Sequence, residues 1–193
     1  MKKECIALWE WFVEKSSQLS GNSPPSAVIE ELDRRVLAAG DVCWEIGHQN
    51  GVPYLAISPG ENIDDARQIL ATAPTVPGWV IRLYKPPKKW NMKFRVLLAG
   101  GEVEIDGSQW EFVCYKVENG QFDLVFRAPS GLDVDDQKVW DTALTIVDGE
   151  LGEEARRTYI SRVEVQESWS DRESTAARKL EVGRLAELVL PKN

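Results

Sequence analysis

The sequence predicts an α+β protein with a mixed, largely antiparallel sheet, and two stretches carry that expectation. Val42 to Pro59, VCWEIGHQNGVPYLAISP, is a pair of short strand-forming runs joined at Asn50-Gly51. That dipeptide supplies the left-handed dihedrals of a tight hairpin. Gln109 to Pro129, QWEFVCYKVENGQFDLVFRAP, repeats the plan around Asn119-Gly120. A helical pattern and a further strand follow each hairpin. The expected architecture is therefore two strand-strand-helix-strand halves, 42–84 and 109–165, with N-terminal helices over 4–40 packed against the sheet. Side-chain identity between the halves is slight, and common turn chemistry accounts for the echo as readily as duplication does.

The chain has 193 residues, 43% of them hydrophobic, and eight tryptophans. That suits a single folded domain, 1–193, because so many large rings need burying. A formal net charge of -8 argues against a general nucleic-acid binder. Cys5, Cys43 and Cys114 are odd in number and form no CxxC pair, as expected of reduced thiols in a cytoplasmic protein. The opening MKKECIALWEWFVEK imitates a signal peptide, but Glu10 and Glu14 interrupt the apolar run and no small-residue cleavage site follows. No apolar run reaches the length of a membrane span. A cytoplasmic protein with no membrane contact is expected.

In chain order, Leu8, Trp9, Phe12 and Val13 recur at helical spacing over residues 4–19. Gly21 to Pro25 breaks that helix, and Ser23-Pro24 offers an N-cap and first-turn pair for the next. Val28, Ile29, Leu32 and Val36 form its stripe, which ends at Gly40. After the first hairpin, Asn62 can cap a helix through Ala73, with Asp64 and Asp65 in its first turn. Pro74 and Pro77 stop it before a strand at Trp79 to Tyr84.

Residues 84–95, YKPPKKWNMKFR, read as an exposed connection, and a hairpin turning at Gly100-Gly101 follows. The second half offers a helix from Asp133 to Val147, an acidic turn around Gly152 and Glu153, and a strand from Tyr159 to Val165. The tail, 168–193, is polar; Leu180, Leu185, Leu188 and Val189 suggest a last helix that Gly183 weakens. Trp44, Trp79, Trp110 and Trp140 are the candidate core tryptophans.

Chemistry is sparse. His48 is the only histidine, and Cys43 and His48 fall on opposite faces of an extended strand, which disfavours a Cys-His dyad. Asp133, Asp135 and Asp136, with Asp148, Glu150, Glu153 and Glu154, could hold Mg²⁺ or Ca²⁺, although DVDD lacks calcium-loop spacing and acid suits a helix start. No phosphate-binding glycine motif, nucleophile elbow or zinc ligand set is present, and the sequence calls for no cofactor. One local excess of positive charge stands out. Lys85, Lys88, Lys89, Lys93 and Arg95 surround Trp90 with no acid between Tyr84 and Arg95. Lys85, Lys88, Lys89 and Trp90 are therefore the candidate binding residues for an anionic ligand, through charge and stacking.

Trp9-Glu10-Trp11-Phe12, Trp44-Glu45-Ile46-Gly47, Ile57-Ser58-Pro59-Gly60, Ala73-Pro74, Gly78-Trp79, Lys85-Pro86-Pro87-Lys88 and Leu151-Gly152-Glu153 form an ordered set over residues 9–165. Together they resemble a group of uncharacterised bacterial cytosolic proteins. The resemblance implies a bacterial source, and it carries over no activity and no catalytic residue.

The function expected from these features is non-enzymatic binding or regulation through contact with another protein. An immunity or inhibitor role would be one concrete form. Two alternatives stand beside it: an enzyme using a divalent metal on the carboxylates of 133–136 and 148–154, and polyanion binding through 85–95.

Overall fold

A computed structural model describes residues 2–21, 23–60, 63–98, 101–130 and 136–191. It is an α+β protein in which the chain forms two compact units, Met1–Lys85 and Pro86–Asn193, each with its own hydrophobic core.

The first unit opens with α1 (Lys3–Leu19), which buries Cys5, Leu8, Trp9 and Phe12 along one stripe. Val13, expected on that stripe, is 47% exposed, because one step past Phe12 is about 100° around the helix. The next helix, α2 (Ser26–Ala39), starts later than Ser23-Pro24 would place it, with Pro25 at the N-cap. Pro25 itself disfavours helical dihedrals at Pro24, which delays the start. Leu32 and Val36 face the core as expected.

Strands β1 (Val42–Gln49) and β2 (Val52–Pro59) form the first hairpin. Asn50 and Gly51 adopt φ of 54° and 80°, the positive pair that a two-residue turn of this hand requires. The chain continues through α3 (Ile63–Leu70) into β3 (Val80–Leu83), which lies parallel to β2. Asn62, the expected cap of α3, lies outside the described residues. Sheet order is β1-β2-β3, so β3 is an edge strand. It ends where Tyr84 turns to φ 71°.

Alternation along the strands aligns Val42, Trp44, Ile46, Leu55, Ile57, Ile81 and Leu83 with the helical side, where all of them join the first core. Phe12 meets Trp79 edge-on at 5.0 Å, and the Trp9 indole donates to the Ile69 carbonyl at 2.9 Å. Full burial of Leu8 and Phe12 is worth about 2 kcal/mol each, enough to fasten α1 to this unit.

The second unit begins with a separate hairpin, β4 (Lys93–Leu98) and β5 (Gly101–Asp106). The exposed connection expected through Arg95 thus gives way to strand at Lys93. Gly100, in the expected turn, lies outside the described residues. A short 3-10 turn, Gly107–Gln109, leads to β6 (Glu111–Lys116) and β7 (Phe122–Arg127), the second hairpin.

Two helices follow, α4 (Asp136–Leu151) and α5 (Glu153–Tyr159), and then β8 (Ile160–Val165), parallel to β7. The second unit therefore repeats the hairpin and the parallel third strand of the first, with two helices between them in place of one. Helix α4 runs beyond Val147, and α5 replaces the expected acidic turn. The tail supplies α6 (Asp171–Ala176), β9 (Arg178–Lys179) and α7 (Arg184–Val189). Strand β9 pairs with β6, giving the order β8-β7-β6-β9. Leu180, Leu185 and Val189 are buried in the second core.

Of the four candidate core tryptophans, Trp110 is fully buried, while Trp44 and Trp79 pack half-buried against the first core. Trp140 is 38% exposed. Its indole N–H donates to the Val163 carbonyl at 3.0 Å, which holds the ring along β8 while Ala143, Ile146 and Val147 fill the core. Among the described residues no helix is long and apolar enough to cross a membrane.

Candidate functional site

Sequence reasoning placed its binding residues at Lys85, Lys88, Lys89 and Trp90. Lys85 closes the first unit and Pro86 opens the second. Lys88 and Lys89 are exposed, and the Lys88 amide donates to the Gly149 carbonyl at 2.7 Å. Trp90 is half-buried. Its ring stacks on Phe94 at 5.6 Å, its N–H donates to Glu150 Oε1 at 3.1 Å, and the Lys88 ammonium stands 6.0 Å from its centroid. Lys93 pairs with Asp106 at 3.6 Å. Trp90 thus has protein contacts that fasten the 86–90 segment to the end of α4.

Three of the carboxylates of 148–154 are engaged by other groups. Asp148 pairs with Arg156, and Glu153, 1% exposed, pairs with Arg157 at 3.0 Å. Glu150 Oε2 accepts from the Gly183 amide at 2.6 Å while Oε1 holds Trp90. Cations and N–H donors thus occupy oxygens of Asp148, Glu150 and Glu153 that a metal would need. Among the described residues no group of three His, Cys, Asp or Glu is placed to hold a metal ion. Asp133 and Asp135 lie outside the described residues. His48 is exposed and its Nε2 lies 3.0 Å from the Ser20 carbonyl. Cys43 is exposed, Cys114 half-buried and Cys5 buried, and all three are free thiols.

The arrangement with the most open chemistry is the outer edge of β3. The Tyr84 amide donates to the Ile57 carbonyl at 3.1 Å, so the main chain of Tyr84 is turned toward β2. Peptide groups alternate along a strand, so those of Arg82 also face β2 while those of Ile81 and Leu83 face away. Among the described residues no other strand pairs with β3, and no backbone bond from Ile81 or Leu83 is formed on that side.

Beside this edge lies an open groove of about 510 Å³, lined by Leu70, Ala73, Val76, Trp79, Ile81 and Arg82 among others. Local sequence builds it. Helix α3 ends at Leu70, Pro74 and Pro77 keep the return non-helical, and Trp79 fills in against Phe12. Thr75 and Arg82 are its polar residues, and Arg82 alternates with Ile81 and Leu83 toward the other sheet face. The Arg82 Nη1 donates to Gln49 Oε1 at 3.1 Å, and among the described residues its buried Nε has no hydrogen-bond partner and no carboxylate pairs with it. Nearby on the same sheet face, the Tyr54 hydroxyl donates to Glu45 Oε1 at 2.5 Å, and burial followed by that bond pushes the phenol well above its ordinary range.

The strand at 79–84 and the proline stop before it follow from local pattern, and the edge does not, because strand order is not written there. The signal available was Arg82, a lone charge between Ile81 and Leu83. No protein-family model, no curated protein and no solved structure matches this chain.

Proposed function

We propose that the chain is a non-enzymatic cytosolic binding protein that acts by contact with another protein, and that the outer edge of β3 is its contact surface. The observation that carries this reading is the pair Ile81 and Leu83, whose main-chain donors and acceptors face away from the sheet beside a groove that Leu70, Val76 and Trp79 help to line. An unpaired edge of this kind is a template for a further strand: the main chain gives affinity and the pockets beside it give selectivity. The odd number of cysteines and the lack of a CxxC pair motivate the cytosolic setting.

Crosslinked capture from the lysate of the native source tests the reading, using wild-type chain and Ile81→Pro in parallel. Proline removes the outward N–H at that position and leaves the bonds toward β2 intact. The expected result is a partner recovered by wild type and lost with I81P, with both chains melting cooperatively. An empty capture, or the same partner on both, contradicts it.

A further inference from the structure

Resting on that reading, we infer that the segment received by β3 is an extended, acidic peptide, with a carboxylate that pairs with Arg82 and apolar side chains that enter the groove. Three features of the first unit lead there. The edge offers hydrogen bonds at alternate residues, Ile81 and Leu83, which only another extended main chain can satisfy in register. The groove beside it has a mixed lining in which Leu70, Ala73, Val76 and Trp79 are apolar, so side chains directed to the helical side meet these residues.

The third feature is charge. Arg82 projects to the opposite sheet face, where among the described residues it donates to the neutral amide of Gln49 and pairs with no carboxylate. A partner's carboxylate matches such a guanidinium in charge and in hydrogen bonding. The same strand spacing that sends one set of side chains into the groove sends the alternate set to the Arg82 side. An alternating apolar-acidic strand fits both faces at once. Val80, 46% exposed on the Arg82 face, sits beside the path of the acidic side chains.

The test uses labelled peptides of about eight residues, strand length, titrated into the full chain and read by fluorescence anisotropy. One alternates valine with glutamate and the other valine with lysine. Two further versions of the glutamate peptide carry N-methyl groups on one or the other set of alternate amides. The expected result is binding of the glutamate peptide, binding at least about tenfold weaker for the lysine peptide, and loss of binding for one N-methyl set only. Arg82→Gln should weaken the glutamate peptide by about tenfold. Val80→Glu, an exposed substitution with little burden on folding, should weaken it as well and keeps the test valid if R82Q unfolds.

Equal or tighter binding of the lysine peptide overturns the acidic assignment while leaving a strand-binding edge. Loss with both N-methyl sets, or with neither, overturns the extended-strand assignment. Binding of no peptide overturns the inference as a whole, and the I81P capture remains the separate judge of whether the edge binds a protein at all.

Discussion

The indole of Trp90 donates to Glu150, and the other oxygen of that carboxylate accepts from the amide of Gly183. One buried side chain thereby fastens the entry segment of the second unit and the left-handed cap of α7 to the last turn of α4. Beside it, a Cβ on Gly149 would lie 2.2 Å from the Trp90 ring, so only glycine permits this approach.

Glu150→Ala leaves two donors without their acceptor and is expected to cost about 2–4 kcal/mol. Gly149→Ala is expected to cost about 1–3 kcal/mol by displacing the ring. Chemical denaturation of both variants checks this. If neither moves the midpoint, the tie through Glu150 contributes nothing.

Acid stability should depend on Glu31. Its bond from Arg34, followed by that from Arg35, holds the carboxyl down to about 2, against an ordinary value of 4.5. A depressed carboxylate contributes stability that is fully present above the ordinary value and is lost as pH falls toward the depressed one. Arg35 also donates to the Ala7 carbonyl and lies over Trp11, so the pairing bears on the α1–α2 contact. Glu31→Gln should therefore be less stable than wild type at pH 6. The two stability curves should approach one another as pH falls from 4.5 to about 2. Parallel curves over that window contradict the assignment.

Thiol labelling should separate the three cysteines. Burial pushes the Cys114 thiol up to about 11 and raises Cys5 as well, while Cys43 is exposed. The thiolate is the reacting form. An aromatic disulfide reagent at pH 8 is expected to label one thiol of the native chain rapidly. Cys43→Ser should abolish that fast phase, and a fast phase that persists contradicts the placement.

The fold was legible where chemistry is local. Asn50-Gly51 predicts its hairpin because few other dipeptides tolerate two positive φ values, and the structure has both. Helix α5 was also written in the chain, with Glu153 and Glu154 in its first turn and Arg156 and Arg157 in its last, as the helix dipole prefers. Those acids invite reading as a turn or a metal cluster only while their arginine partners are overlooked. Ser170 and Glu173 likewise form a capping box whose spacing is plain in the sequence.

The edge at β3 was not legible. Residues 80–83 read the same whether the strand is central or peripheral, and only the pairing order of the sheet makes Ile81 and Leu83 outward. Trp140 failed for a related reason. Helical spacing places it near the core stripe, and its bond to the Val163 carbonyl, a long-range contact, sets its exposure.

Residue-resolved amide hydrogen exchange across β3 tests the account most directly. Arg82 N–H faces β2, and Ile81 and Leu83 N–H face out. In the free protein the Arg82 amide should be protected and its two neighbours should exchange quickly. Saturating valine–glutamate peptide should then slow Ile81 and Leu83 selectively. Protection of Ile81 and Leu83 equal to that of Arg82 in the free protein would mean the edge is already covered, and would contradict the claim that it receives a partner.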